Sequence, residues 1–310
     1  MKSIRDLTLI KMHVLQTPEF RFADLKNFSF QSHFININGL QMHYLDEGPI
    51  NARPVLLLHG VPTWSYLYRH MIQRIAGAGN RVLAPDLIGF GKSDKPKKTK
   101  DHTYQAHIEW IRTFIDLLYL KEVVLFGHDW GSLIGLRVAA EQPERFSGII
   151  ISNGMLPTGE HKLHFMFKIW KILARYSPFL PVDMAIAAGV KGRLGKEERR
   201  AYRAPFPSSK YKAGIRALPN LVPVSLNDPE SETNLKAWKS LGRWEKPFLT
   251  IFSNDDPITR GGDEYLKERI PGAAGQDHIK INGGHFIQEE RSAELSEIVI
   301  SFIKKQIHDF

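Results

Sequence analysis

A chain of 310 residues, 43% hydrophobic and 24% charged, has the balance of a globular protein and is long enough to bury a sizeable core in one large domain or two smaller ones. It contains no cysteine, which excludes disulfides, thiolate metal sites and a cysteine nucleophile, and it has no apolar run of the roughly 20 residues that cross a bilayer. The formal charge of +9 admits an acidic partner, but the basic stretches 92–100 and 191–212 carry no zinc-finger or RNP signature and read as solvated faces, so nucleic acid is not expected.

Residues 1–17 mix charged and apolar side chains without the apolar centre of a secretory signal, which points to the cytoplasm. The first 30 residues read as a lead-in. Two alternating stretches, 33–38 and 41–46, flank Gly39 and predict a β-hairpin. After Pro54 the rhythm changes: 55–58, 81–84, 122–126 and 148–151 are continuous apolar runs, as expected of strands buried on both faces. Between them, 103–120 and 130–141 have helical period. Strands alternating with helices predict an α/β fold with a mostly parallel sheet flanked by helices.

The alternation lapses from 156 to 227, a helical, basic and aromatic stretch punctuated by Pro178, Pro181, Pro205, Pro207, Pro219 and Pro223. Strand character resumes at 247–252 and 279–281, with a last helix near 293–306. The expected organisation is therefore a core, 1–156 and 228–310, interrupted by a helical cap, 157–227. An insertion at that point sits over the C-terminal edge of the sheet, where open α/β sheets bind ligands.

The central feature is Gly127-His-Asp129-Trp-Gly131, a buried strand turning into a helix. That is a nucleophile elbow with aspartate as the nucleophile, although an aspartate N-cap would look the same by itself. Its partners favour the elbow. Asp256 follows one late strand and His285 the next, in the chain order of nucleophile, acid and histidine that this fold uses. Asp255 is an alternative acid; Asp256 is preferred for its place before Pro257. His59-Gly60-Val61 ends the first buried strand, so the backbone N–H groups of Val61 and Trp130 could form an oxyanion hole. His59 and His128 read as structural.

Other patterns carry less. Phe90-Gly-Lys-Ser93 echoes a phosphate loop but has Asp86 where that motif needs glycine. Glu160, His161 and His164 are more naturally exposed helical residues than metal ligands, and no metal is expected. The basic amphipathic stretch 162–176 could lie on a membrane, but a helix covering the site accounts better for its apolar face, so no membrane partner is expected.

Four segments resemble the haloalkane dehalogenases: 59–69, 84–96, 128–132 and 284–289. The resemblance runs from about Leu15 to the C-terminus and includes Ala204-Pro-Phe-Pro207 and Tyr211-Lys-Ala-Gly214 within the cap. It implies an α/β-hydrolase fold and a reaction in which Asp129 displaces halide from a haloalkane and His285, oriented by Asp256, activates water to release an alcohol. It further implies a halide site between Trp130 and the cap residue Trp170, and an apolar pocket of Phe167, Leu218, Pro219, Val222 and Ile258. The implied partners are a small apolar halogenated substrate, water and halide, with no cofactor, and a monomer is expected. Val61 departs from the family, which usually carries glutamate or asparagine there to bond the water or the halide. Two rival readings remain. An epoxide hydrolase would need cap tyrosines such as Tyr176, Tyr202 or Tyr211 as proton donors. A non-catalytic ligand-binding descendant of the fold has only Val61 in its favour.

Overall fold

The computed structural model describes residues 12–160 and 164–308; the start of the lead-in, with His161 and Lys162, lies outside them. The lead-in is integrated into the molecule. Its β1 (Val14–Leu15) pairs antiparallel with β6 (Lys95–Pro96), and Phe22 buries its ring edge-on against Trp64. Thr17 and Arg21 donate hydrogen bonds to the carbonyls of Pro205 and Ala204 in the cap.

Eight strands form one sheet in the order β10 (Ile279–Ile281), β9 (Phe248–Ser253), β8 (Phe146–Ser152), β7 (Val123–His128), β4 (Pro54–Leu58), β5 (Arg81–Pro85), β3 (Leu40–Glu47) and β2 (His33–Ile37). From β10 to β5 every pairing is parallel, and β4, β7 and β8 are buried along their whole length. The antiparallel hairpin β2–β3 closes the edge. Its turn has positive φ at both Asn38 (52°) and Gly39 (89°), the combination that matches the twist of the flanking strands. The chain leaves β4 towards β5 on one side and returns to β7 on the other, so the sheet switches direction beside β4, the position at which open α/β sheets bind ligands.

Helices cover both faces. On one, α1 (Arg69–Gly77) packs against α10 (Ile287–His308); on the other lie α2 (Tyr104–Leu117), α3 (Trp130–Glu141) and α8 (Ser231–Leu241). The Thr103 side chain caps α2 by accepting from Ala106 N–H at 3.0 Å. The next helix, α3, is buried on nearly every side and so lacks a polar face. Between β8 and β9 the chain makes four helices, α4 (Phe165–Tyr176), α5 (Val182–Ala188), α6 (Lys196–Arg203) and α7 (Ala213–Leu221), before α8 returns to the core. Because β8 and β9 pair directly, the sheet continues beneath this excursion. The short α9 (Gly262–Arg269) follows β9, and Arg291 breaks the helical geometry of α10, so the helix expected at 293–306 is its second limb.

The loop resembling a phosphate site wraps around an internal anion instead. The fully buried Asp86 carboxylate accepts from Ser65 N–H, Lys92 N–H and His43 Nδ1, each at 2.8 Å. A Cβ at Gly91 would lie 2.0 Å from that carboxylate. Burial alone would raise the Asp86 pKa, but the His43 ring and the backbone N–H groups outweigh it and hold the acid well below the ordinary carboxylate range. Asp86→Ala should therefore cost about 3–5 kcal/mol, the scale for breaking a buried pair, read as a lower urea midpoint. Since the folded pKa lies below the unfolded value of ~3.9, this stabilisation is complete above that pH and fades as pH falls below it, so the variant and the parent should converge in acid.

Candidate active site

At the end of β7 the chain turns on Asp129, with φ 51° and ψ −122°, and enters α3 at Trp130. A residue with a Cβ adopts such angles at a cost on the order of 1–3 kcal/mol, so the surroundings must hold it. Asp129 N–H donates to Asn153 O at 3.2 Å, and Ser132 N–H donates to Asp129 O at 2.9 Å. Gly60, just past neighbouring β4, gives the turn its space: a Cβ there would sit 2.3 Å from the Asp129 Cβ. That close approach lets Val61 N–H donate to Asp129 Oδ1 at 2.7 Å. The amide of Trp130 opens α3 at the same corner.

His285 occupies the loop between β10 and α10, buried beside this turn. Its Nδ1 lies 3.0 Å from Asp256 Oδ2 and its Nε2 lies 3.5 Å from Asp129 Oδ2. The three residues singled out from the sequence thus meet at one sheet edge. Asp256 is buried, and its remaining lone pairs accept from Ile258 N–H at 2.8 Å, Thr259 N–H at 3.3 Å and the Thr259 hydroxyl. Asp255 faces solvent and pairs with Lys191 at 2.7 Å.

The electrostatics follow from this placement. Burial pulls His285 down, but the Asp256 charge and the hydrogen bonds to Asp129 and Asp256 outweigh it and push the imidazole up to about 10. Burial would raise Asp129, and contact with His285 keeps it below its ordinary value; Asp256 is lowered in the same way. The resting site is therefore an imidazolium between two carboxylates. His128 is pulled down to about 4 by burial and by its neighbour His285, stays neutral, and donates from Nε2 to His285 O at 2.8 Å. His59 is also buried, and accepts from Leu87 N–H at 2.9 Å. Chemically, Asp129 has one oxygen tethered by a backbone donor and a second facing a histidine, an arrangement suited to nucleophilic attack followed by activation of water.

Trp130 is buried, packing edge-on against Tyr104 with ring centroids 5.1 Å apart. Half-buried Trp170 and Phe167 lie on the inward face of α4. This helix packs on α7, which supplies Leu218 and Pro219 and is followed by Val222; Ile258 sits on the acid loop, tied to Asp256. Among the described residues, no hydrogen bond engages the indole N–H of Trp130 or Trp170, and no cluster of imidazoles and carboxylates is arranged to hold a metal ion.

Residues 53–292 match the family model of the alpha/beta hydrolase fold. The chain is 52% identical to a haloalkane dehalogenase of Mycolicibacterium paratuberculosis, over 94% of this chain and 98% of that one. It is 47% identical to a haloalkane dehalogenase of Psychrobacter cryohalolentis, again over 94% and 98%. Among solved structures, a tetrameric haloalkane dehalogenase from Paraglaciecola agarilytica superimposes with a TM-score of 0.86 at 33% identity, over 92% of this chain and 97% of that one.

Several residues that shape the site were not singled out from the sequence. Asn153, in the position where the preceding strand offers no carboxylate, donates from Nδ2 to His285 O at 2.9 Å, to Gly284 O at 3.2 Å and to Ser253 Oγ at 2.8 Å. Two adjacent glutamates after the histidine fasten the cap. Glu289 takes both Arg69 guanidinium nitrogens, at 2.6 and 2.8 Å, and accepts from the Tyr202 hydroxyl of α6. Glu290 accepts from Lys191 N–H at 3.0 Å and Gly192 N–H at 3.2 Å in the cap, and from Gly284 N–H at 2.7 Å beside His285. The sequence signal was the acid pair itself, but carboxylates opening a helix are common and carry no address. Removing the Glu290 carboxylate should loosen the histidine loop. In a two-step reaction with Asp129 as nucleophile and His285 as base, Glu290→Ala is expected to slow the base-dependent step by roughly 10-fold without slowing the attack, with partial recovery in Glu290→Gln; single-turnover kinetics separates the two steps.

Proposed function

The chain belongs to the haloalkane dehalogenases, hydrolases of the α/β-hydrolase fold acting on carbon–halide bonds, and we propose that Asp129, His285 and Asp256 carry that reaction in two steps. The observation behind this assignment is the unequal treatment of the two Asp129 oxygens. Oδ1 is held by Val61 N–H, while Oδ2 is free of backbone donors and faces the histidine.

In the first step Oδ2 attacks the carbon bearing the halogen; a C–O bond forms, the carbon–halogen bond breaks, and halide leaves with the bonding pair. No proton is needed. The indole N–H groups of Trp130 and Trp170 donate to the halide without adding a cation that would trap it. Alkylation neutralises Asp129, and His285 then loses the hydrogen bond and the charge through which that carboxylate raised its pKa. The imidazolium sheds its proton and becomes a base. In the second step His285 takes a proton from water, and the oxygen of that water attacks the Asp129 carbonyl carbon. The N–H groups of Val61 and Trp130 hold the negative charge that develops on Oδ1. Collapse releases the alcohol, carrying the former Oδ2 and a proton from His285, and the water oxygen remains on Asp129.

In this reading residues 157–227 are a cap over the strand ends, and Phe167, Leu218, Pro219, Val222 and Ile258 give the substrate an apolar lining. The enzyme works as a monomer in the cytoplasm on small apolar halogenated substrates, with water and halide as its other partners. Epoxide opening is disfavoured because two of the three candidate cap tyrosines are placed elsewhere: Tyr202 bonds Glu289 and Tyr176 faces solvent. Val61 offers no side-chain hydrogen bond to the water, so its contribution is confined to its backbone.

His285→Gln should release about one halide per site and stop, with the alkyl group detectable by mass on the peptide containing Asp129. In the parent, ester hydrolysis needs neutral imidazole. Its rate should rise with pH through a midpoint below the value near 10 of the free enzyme, because the alkylated Asp129 no longer supports the cation. Full turnover by His285→Gln would remove the base from its role. For the halide site, Trp170→Phe keeps an aromatic ring and deletes a donor. Bromide should quench tryptophan fluorescence less steeply in this variant, and an unchanged titration with unchanged turnover would reduce Trp170 to packing.

A further inference from the structure

The helix α4 (Phe165–Tyr176) has two apolar faces where a cap helix needs one. Phe167, Trp170 and Ala174, spaced i, i+3, i+7, face the molecule. Phe165, half-buried Ile169, Ile172 and Tyr176, spaced i, i+4, i+7, i+11, form a second stripe on the far side, widened by exposed Met166 and Leu173. Phe165 and Tyr176 are each 68% exposed, and Phe179, in the following turn, 82%. If a whole aromatic side chain offers ~200 Å², these three leave roughly 400 Å² open. That already matches the largest patch on an ordinary monomer. The face is held in place, because Arg216 and Lys212 of the adjoining segment donate to the carbonyls of Ala174, Arg175, Pro178, Phe179 and Leu180.

Charge identifies what this face meets. A third stripe of α4, Lys168, Lys171 and Arg175, flanks the apolar one, and Lys210 follows on the neighbouring segment. The cap, 157–227, contains 13 Lys and Arg against 4 Asp and Glu, whereas the rest of the chain contains 29 of each. The whole net charge of +9 therefore resides in the cap. A second copy is the wrong occupant, since an isologous contact would press one cationic cap against another. Exposed aromatic and aliphatic side chains bordered by cations, on an otherwise neutral protein, suit a surface that is apolar inside and anionic outside.

We infer that the cap docks through the outward face of α4 onto anionic phospholipid bilayers, as a peripheral contact that crosses no membrane. The orientation has a consequence that rests on the proposed function: the inner face of the same helix lines the substrate site, so an apolar haloalkane dissolved in the bilayer would reach the enzyme through the membrane it sits on.

Co-sedimentation of the full chain with phosphatidylcholine vesicles, with and without about 30% phosphatidylglycerol, tests the docking independently of catalysis. Binding should require the anionic lipid at about 0.1 M salt and be largely released at about 0.5 M. At about 5-fold for each basic residue near the surface, Lys168→Glu, Lys171→Glu and Arg175→Glu combined should weaken partitioning by on the order of 100-fold. Ile172→Glu with Tyr176→Glu should also abolish it, and halide release from a water-soluble bromoalkane should be unchanged in both variants, showing that they fold. Equal binding to neutral vesicles, or no binding to either kind, would overturn the inference. So would a dimer of the parent that the Ile172→Glu, Tyr176→Glu variant dissolves, because a second copy would then cover this face.

Discussion

The turn at Asp129 constrains everything around it. A carboxylate can stand clear of the sheet edge only if its own backbone takes a disfavoured conformation, and that conformation survives only in dense surroundings. The neighbouring strands are shaped accordingly. A Cβ at Gly131 would meet Leu58 O at 1.9 Å, so α3 can press against the end of β4 only with glycine there. Gly60 does the same from the other side and delivers the Val61 N–H to the carboxylate. Strain, close approach and the differentiation of the two carboxylate oxygens are one arrangement.

Around that turn, charge is balanced without being neutralised. One imidazolium serves two carboxylates, and its high pKa depends on both. In the proposed reaction, loss of the Asp129 charge would change the protonation of His285, so that the covalent step would itself prepare the base for the next one. The geometry needed for this transfer is kept by groups that take no part in it. Asn153 and His128 both donate to the His285 carbonyl, while Glu289 and Glu290 bind the histidine loop to the cap and to α1. The cap is thus anchored from the catalytic side and, through Thr17 and Arg21, from the lead-in.

This anchoring also explains how the cap can carry a surface unlike the rest of the protein. Its inner side is fixed by directional, mostly part-buried bonds, which leaves the outer side of α4 free of any structural duty towards the core. The concentration of cations in one segment acts at long range and is independent of the fold.

Much was legible in the chain because local chemistry has local signatures. Continuous apolar runs marked β4, β5, β7 and β8, since strands buried on both faces leave no polar positions. The glycine spacing marked the elbow, because only a tight turn needs it, and the order of Asp129, Asp256 and His285 followed from strands that end at one edge. Elements without such a signature were missed. The two-residue strands β1 and β6 are too short to show a period, and α1 and α8 begin without a side-chain cap. Spacing left Asp255 and Asp256 close to equivalent; the tertiary structure turns one to Lys191 and solvent and the other to His285. Periodicity in α4 gave one apolar face, and only the packed structure divides its side chains into those that pack against the core and those that face outward. In each case the deciding quantity is a distance between residues far apart in sequence, such as the 3.0 Å from Asp256 to His285 or the 3.0 Å from Lys191 N–H to Glu290. A linear pattern can specify which groups are present, but their contacts are fixed when the strands and the cap pack together.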